Sequence, residues 1–320
     1  MVIRKKSIPR SIGFTLLILA IVLFTVFPFV QMLSLSLKHQ FDWGNPSLIP
    51  RKINLEAYKE LLNIGQQEKD VPDTVKRLLD NPDLTSDQKK QILAKYKDTA
   101  DVFPFLKYFR NSILLSVSAA FFSLIIAVLG AYSFSRVRYR GRAYIQRGVL
   151  FVYMFGGILI LIPMYQMAVK IGLASTQTGT FISILIIYMV QTLPVSLYML
   201  GNYFRTIPFS IEEAAMIDGC TRMGTIRKII VPLSLPALST VFIYAFMIAW
   251  NEYLFASVFL KSYKELYTLP IGLKSLFDSK HAIWDRIMAA SVCTAVPVVA
   301  LFMLVQKNLV GGLTSGGVKE

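Results

Sequence analysis

Cysteine and histidine are almost missing from this chain: its 320 residues hold only Cys220, Cys293, His39 and His281. Two thiols cannot build a disulfide framework, and no CxxC or zinc-type spacing joins them to the histidines, so no metal site is expected. A phosphate-binding loop is missing as well. That motif needs a lysine directly after its second glycine, and the nearest approach, Gly312 to Gly317, has Val318 there with no strand before it. The chain itself is therefore expected to carry no cofactor and to hydrolyse no nucleotide. No nucleophile paired with a base is visible either, which argues against an intramembrane enzyme. Charge is scarce at 17%, against 54% hydrophobic residues and a mean hydropathy of +0.53. So little polar surface cannot coat a water-soluble globule of this length. The charge present is one-sided, 34 basic against 19 acidic residues, a net of +15. A nucleic-acid binder would gather that excess on a folded soluble face. Here it flanks apolar runs, so no nucleic-acid partner is expected.

Long apolar runs are what the sequence has in plenty. About 20 apolar residues cross the hydrocarbon core as a helix, and six segments qualify: Ile12 to Leu33, Ser112 to Phe134, Val149 to Met167, Phe181 to Leu200, Ala237 to Leu260 and Ile287 to Val305. The first is too long for a signal peptide and lacks a small-x-small cleavage site, so it reads as a retained span. With the N-terminus inside, the inside segments carry fifteen basic residues: Arg4, Lys5, Lys6, Arg10, Arg136, Arg138, Arg140, Arg142, Arg147, Arg205, Arg222, Arg227, Lys228, Lys307 and Lys319. Their acids are Glu212, Glu213, Asp218 and Glu320, a net of +11 that leaves +4 for everything else. Because basic loops stay cytoplasmic, both termini are expected on the cytoplasmic side of the membrane.

The expected architecture is all-α and polytopic. Residues 1–11 form a cytoplasmic N-terminus, 12–34 the first span, 35–109 an extracytoplasmic helical insert, 110–308 a five-helix core with a cytoplasmic loop at 203–236, and 309–320 a cytoplasmic tail. Within the insert, Pro72 to Asp80 reads as a short amphipathic helix, Asn81-Pro82 as a break, and Thr85 with Gln88 as a capping box opening a second helix to Lys97. Two readings of this insert stay open, a solvated helical hairpin and a docking surface for an external partner.

The loop between the fourth and fifth spans is the most informative stretch. Pro208 and Ser210 set up a helix start, and Glu212 and Glu213 fall in the first turn, where the helix dipole favours acids. Gly219 has the backbone freedom to end that helix. A second helix, basic on one side and apolar at Met223, Ile226 and Ile230, is expected from Thr221 to Ile230, with Pro232 stopping it. The pair is expected to have little to pack against in its own chain and to dock into something in the cytoplasm.

This stretch closely resembles the EAA loop of permease subunits of binding-protein-dependent ABC importers. The family's Glu-Ala-Ala, three residues, Gly, nine residues, Ile-x-Leu-Pro falls on Glu213, Ala214, Ala215, Gly219, Ile229, Val231 and Pro232, with Asp218 also agreeing. Val231 replaces the usual Leu, and Cys220 stands where Ala is commoner. Further stretches are similar to the carbohydrate branch, in particular the smaller six-span subunit of maltose-type importers: Asn54 to Tyr58, Trp250 to Tyr253, Tyr267 to Leu273 and Leu309 to Lys319. The resemblance implies an ATP-driven importer of oligosaccharides assembled from this chain, a second homologous permease, two cytoplasmic ATPase subunits that bind ATP and Mg, and an extracytoplasmic solute-binding protein. It assigns ATPase coupling to Glu213, Ala214, Ala215, Asp218, Gly219, Ile229 and Pro232. A tail contact with the ATPase falls on Gly311, Gly312, Gly316 and Gly317, and contact with the docked binding protein on residues near Lys261 to Lys274. The same machine with a polyol, glycerol phosphate, amino acid or phosphate as cargo is the alternative. An ATPase-independent secondary transporter leaves the EAA loop unexplained.

Inside the spans, Glu252 is the sole acid, and burial of a charge there is costly. Either Asn251 and Glu252 line the passage, or Trp250, Glu252 and Tyr253 form polar contacts between helices or at the interface. Tyr153, Tyr188 and Gln191 offer hydrogen-bonding groups at membrane depth, suited to a sugar or to helix packing alike. Pro163, Pro194 and Pro297 interrupt three spans and are candidate bending points.

Overall fold

The computed structural model describes residues 8–64, 85, 88–89, 103–154, 157–277 and 284–315. The expected helix from Pro72 to Asp80, most of that from Thr85 to Lys97, and the tail residues Gly316 to Lys319 lie outside these. The regular structure is helical, with no strand among the described residues. Twelve helices concern us: α1 (Ile8–Ser36), α2 (Glu56–Leu61), α3 (Phe105–Arg136), α4 (Arg142–Met154), α5 (Gly157–Lys170), α6 (Gln177–Thr206), α7 (Phe209–Ile217), α8 (Arg222–Leu233), α9 (Leu235–Trp250), α10 (Leu254–Phe259), α11 (Leu269–Phe277) and α12 (Trp284–Ser315).

Four helices are long and apolar enough to cross a membrane singly: Gly13–Ser36 within α1, then α3, α6 and Trp284–Gln306 within α12. Two bent helix pairs pass the same test only together, α4 with α5 at 97° and α8 with α9 at 83°. Counted as one crossing each, they bring the total to the six expected. Two spans differ from expectation in kind. Val149 to Met167 is divided between α4 and α5, and Ala237 to Leu260 is broken after Trp250, with α10 starting afresh at Leu254. Pro163, Pro194 and Pro297, the candidate bending points, all lie inside continuous helices. A proline removes one N–H and crowds one carbonyl, which a helix embedded among others tolerates. Residues 309–315, expected as a loose tail, continue α12.

The chain divides into two compact units, 1–106 with 273–294 and 107–272 with 295–320. In the first, the apolar window of α1 buries nothing, so its leucines and phenylalanines face outward, as lipid contact allows. Directly after it the chain folds back on itself around Lys38, whose side chain is only 1% exposed. Its Nζ donates to the carbonyls of Asn45 and Ser47, both at 2.7 Å. Around this cation Ser36 Oγ meets Tyr58 Oη at 2.7 Å, Asn54 N donates to Leu37 O at 2.9 Å, and Glu60 pairs with Arg286. The Arg51 N–H, and next the Asn45 amide, hold the Asp42 carboxyl below its ordinary range. Farther on, Gln88 Oε1 accepts the Thr85 N–H at 3.0 Å, the backward bond of a capping box.

The second unit has two cores. One joins α3, α5, α6 and α10 through Leu115, Leu161, Ile184, Tyr188, Phe255 and Phe259. The other joins α3, α6, α8 and α9 through Val128, Leu200, Phe204, Ile226, Ile230 and Val241. Both thus share α3 and α6, which approach closely. A Cβ on Gly130 would lie 2.5 Å from Leu197 Cδ2, and Thr192 Oγ1 donates to Ser123 Oγ at 2.8 Å in a buried contact. Small residues and hydroxyl bonds are the usual means of joining helices where apolar burial gives little drive.

Lys38→Met should leave the Asn45 and Ser47 carbonyls without their donor, a loss of about 1–3 kcal/mol for buried groups. Trypsin cleavage at the exposed Arg51 and Lys52 should then run about tenfold faster than in the unaltered protein, measured on the solubilised chain.

Candidate functional site

The loop at 203–236 consists of α7 and α8 on a support supplied by α3 and α6. α7 starts after Pro208, which stands in extended conformation at the N-cap, and Glu212 lies in its first turn. At the far end Cys220 N donates to Ala215 O at 2.9 Å and Gly219 N to Met216 O at 3.1 Å. These two bonds make a Schellman closure, which requires the residue after the cap to be left-handed. Gly219 has φ +82°, and nothing lies within 4 Å of where its Cβ would be. Backbone conformation and not crowding therefore demands glycine. Thr221 then caps α8, its Oγ1 accepting the Gly224 N–H at 3.1 Å.

α8 does not end at Pro232 as expected but runs to Leu233. The turn Ile226–Ile230 is a π-helix, closed by Val231 N donating to Ile226 O. Such a widened turn relieves the clash between a proline ring and the preceding turn's carbonyl. The helix pair also has more to pack against than expected. Ile226 and Ile230 belong to the second core, and Glu212 and Ala215 are buried at 1% and 5% exposure. Glu213, Ala214, Met216, Ile217 and Asp218 are exposed on α7, as are Met223, Arg227 and Lys228 on α8. Of the sequence-predicted coupling residues, Ala215 thus faces inward, Ile229 is half-buried, and Glu213, Ala214, Asp218, Gly219 and Pro232 are exposed.

The buried Glu212 is met by Arg136, the last residue of α3: Nε lies 2.6 Å from Glu212 Oε1. The same guanidinium donates from Nη2 to Phe204 O and Ile207 O, both at 2.6 Å, and stands over the Phe209 ring at 5.7 Å. Tyr132, one turn earlier on α3, donates its hydroxyl to Glu212 Oε2 at 3.0 Å. Sequence reasoning missed this cluster, having counted Arg136 and Glu212 as loop charges. The only signal was the doubled acid: neighbours on a helix point about 100° apart, so a helix lying against the bundle can turn one of the two inward, where it needs a cation.

The polar residues of the spans stand in distinct surroundings. Glu252 is no mid-span charge. It sits in the break between α9 and α10 and accepts Phe255 N at 2.7 Å and Ala256 N at 3.0 Å, satisfying the first free donors of α10. Asn251 closes the other side, its Nδ2 donating to Met247 O at 2.9 Å. Tyr188, wholly buried on α6, is brought to the Glu252 carboxylate, whereas the exposed Tyr153 has Tyr244 as its partner. Gln191, one turn on from Tyr188, is half-buried. The segment from Lys261 to Leu269 is tied to the start of α3: Asn111 Nδ2 donates to Glu265 O at 2.8 Å and Tyr267 O at 3.1 Å, and Leu269 N donates to Ser112 Oγ at 2.7 Å. Lys107 pairs with Glu265, leaving Lys261, Ser262 and Lys264 exposed at the tip. Gly311 and Gly312 lie in the last turns of α12. Among the described residues no group of three metal-ligating side chains gathers.

A helical bundle with broken crossings and an anchored helix pair between two of them defines a membrane transport subunit, and comparison with known proteins agrees. Residues 113–314 match the family described as "Binding-protein-dependent transport system inner membrane component". An inner membrane ABC transporter permease protein of Escherichia coli K12, YcjP, is 38% identical over the whole of both chains. The maltose/maltodextrin transport system permease protein MalG of Yersinia pestis is 30% identical over all of this chain and 97% of its own. In fold, a solved bacterial ABC transporter involved in importing the acidic polysaccharide alginate covers 96% of this chain and 99% of its own with a TM-score of 0.65, at 22% identity. The chain belongs to the binding-protein-dependent transport system inner membrane component family. It is a permease subunit and not an enzyme; ATP hydrolysis in such importers resides on a separate subunit.

Gly219→Ala should destabilise the end of α7 by about 1–2 kcal/mol, since an L-residue is strained at this φ. Gly219→Pro cannot adopt it at all. Cysteine-accessibility measurement at Cys220 should show a moderate rise for the first and full labelling for the second, with both proteins present in the membrane.

Proposed function

We propose that this chain is one of two permeases in an ATP-driven importer of oligosaccharides, and that α7 is the element its ATPase grips. The observation that carries the coupling reading is the split between neighbouring glutamates. Glu212 is bound inward, while Glu213, Ala214 and Asp218 form a free face whose geometry is fixed from behind. The basic balance of the segments on that side, +11 against +4 elsewhere, supports a cytoplasmic position for α7 and for both termini. ATP and Mg then belong to the two ATPase subunits. By the family resemblance, we assign contact with the same partners to Gly311, Gly312, Gly316 and Gly317. On the opposite side, the exposed tip from Lys261 to Lys264 faces the external solute-binding protein. Of the polar span residues, Gln191 and Tyr153 are those we assign to the passage, because Asn251 and Glu252 are bonded at the helix break and Tyr188 is fully buried. The sugar cargo rests on the Yersinia relative, named for maltose and maltodextrin and aligned along the entire chain.

Glu213→Lys reverses the charge of the free face without touching the Glu212 anchor. The variant should insert normally, while co-purification of the ATPase falls about tenfold or more, as loss of an interfacial charge contact does. Normal recovery of ATPase with normal uptake would refute the coupling role. For cargo, the cognate external binding protein should take oligosaccharides from a glycan panel with Kd of about 1 μM, roughly −8 kcal/mol. A binding protein that ignores glycans and takes a polyol, glycerol phosphate, amino acid or phosphate would replace the sugar reading.

A further inference from the structure

Between α6 and α7 lie only Ile207 and Pro208, and the start of α7 has no side-chain cap of its own. Two helices joined through an extended pair of residues form a hinge unless something bridges it. Arg136 bridges it: one nitrogen holds the carbonyls of Phe204 before the hinge and Ile207 within it, and another faces the Glu212 carboxylate beyond it. Because Arg136 ends α3, three helices converge on a single guanidinium. Tyr132 adds a second grip on Glu212 from the same helix, and Phe209 closes the flat side of the cation.

We propose that Arg136 and Glu212 are positioning residues that lock the α6–α7 hinge, so that a displacement of α7 moves α3 and α6 as one body. This rests on the reading of α7 as the ATPase-gripped element. The chemistry suits that task. A buried ion pair is a stiff link when hydrogen bonds hold its members, and here Tyr132 donates to one carboxylate oxygen and Nη2 to two carbonyls, while Nε and Oε1 meet as opposite charges at 2.6 Å. Lysine keeps the charge but, being a single point donor, cannot span the carboxylate and two carbonyls together. Without the lock, α7 would pivot about Ile207 and Pro208, and the ATPase could cycle while the spans stayed still.

The test uses the full importer, with ATPase and binding protein, reconstituted in vesicles. Cargo moved and ATP hydrolysed are measured per assembled complex for Arg136→Lys and Glu212→Gln. We expect complexes to assemble and hydrolyse ATP within about twofold of normal, while cargo moved per ATP falls at least about tenfold, because loss of one partner of a buried pair is strongly disruptive. Fewer complexes with an unchanged ratio of cargo to ATP would mean a merely structural role and overturn the proposal. If both variants fail to assemble, Tyr132→Phe removes only the 3.0 Å bond to Glu212. Its ratio should fall, by less than in the ion-pair variants because the Arg136 contact remains, and an unchanged ratio overturns the lock. A Glu213→Cys crosslink to the ATPase, made in the otherwise unaltered complex, separates the two levels. Its absence removes the coupling reading together with the lock, and its presence with an unchanged ratio removes the lock alone.

Discussion

Wherever a helix ends inside an apolar surround, its free N–H and C=O groups must find partners, because no water is there to supply them. Several polar side chains answer such a demand by binding backbone groups. Lys38 takes two carbonyls, Arg136 two more, Asn111 another two and Asn251 one, while Glu252 takes two N–H groups. The scarcity of charge in the sequence thus has a structural counterpart. The few polar side chains near the spans stand at breaks, and the breaks are where helices can change direction.

That rule also explains which features of the sequence could be read directly. Six apolar runs predicted six crossings because hydropathy over 20 residues reports burial in lipid whether or not the helix is continuous. The same averaging hid both breaks. Trp250, Asn251, Glu252 and Tyr253 carry no glycine or proline, the ordinary break signals, and Glu252 inside an apolar run reads as a charge needing a function. Its bonds to Phe255 and Ala256 show a cap instead. Conversely, Pro163, Pro194 and Pro297 carried the break signal without breaking anything, since packed neighbours override local propensity.

The EAA loop shows the same division. Its spacing from Glu213 to Gly219 was legible because a Schellman closure fixes where a left-handed residue must stand. What lay behind the loop was not legible, because contacts between residues 136 and 212 are separated by two spans. The end of α8 was misplaced for a local reason: a π turn before Pro232 has no strong sequence signature.

The inward grip on Glu212 has a consequence for how this helix tolerates change in length. Successive residues of α7 are about 100° apart around its axis, so the anchor fixes the angular phase of every side chain after it. One residue inserted between Glu212 and Gly219 would turn Met216, Ile217 and Asp218 toward a different neighbour, although every motif letter before it survived. Substitutions on the outward face leave that phase untouched. The short helix should therefore accept exchange of outward side chains far more readily than any insertion or deletion, and its length is as much a part of its specification as its composition.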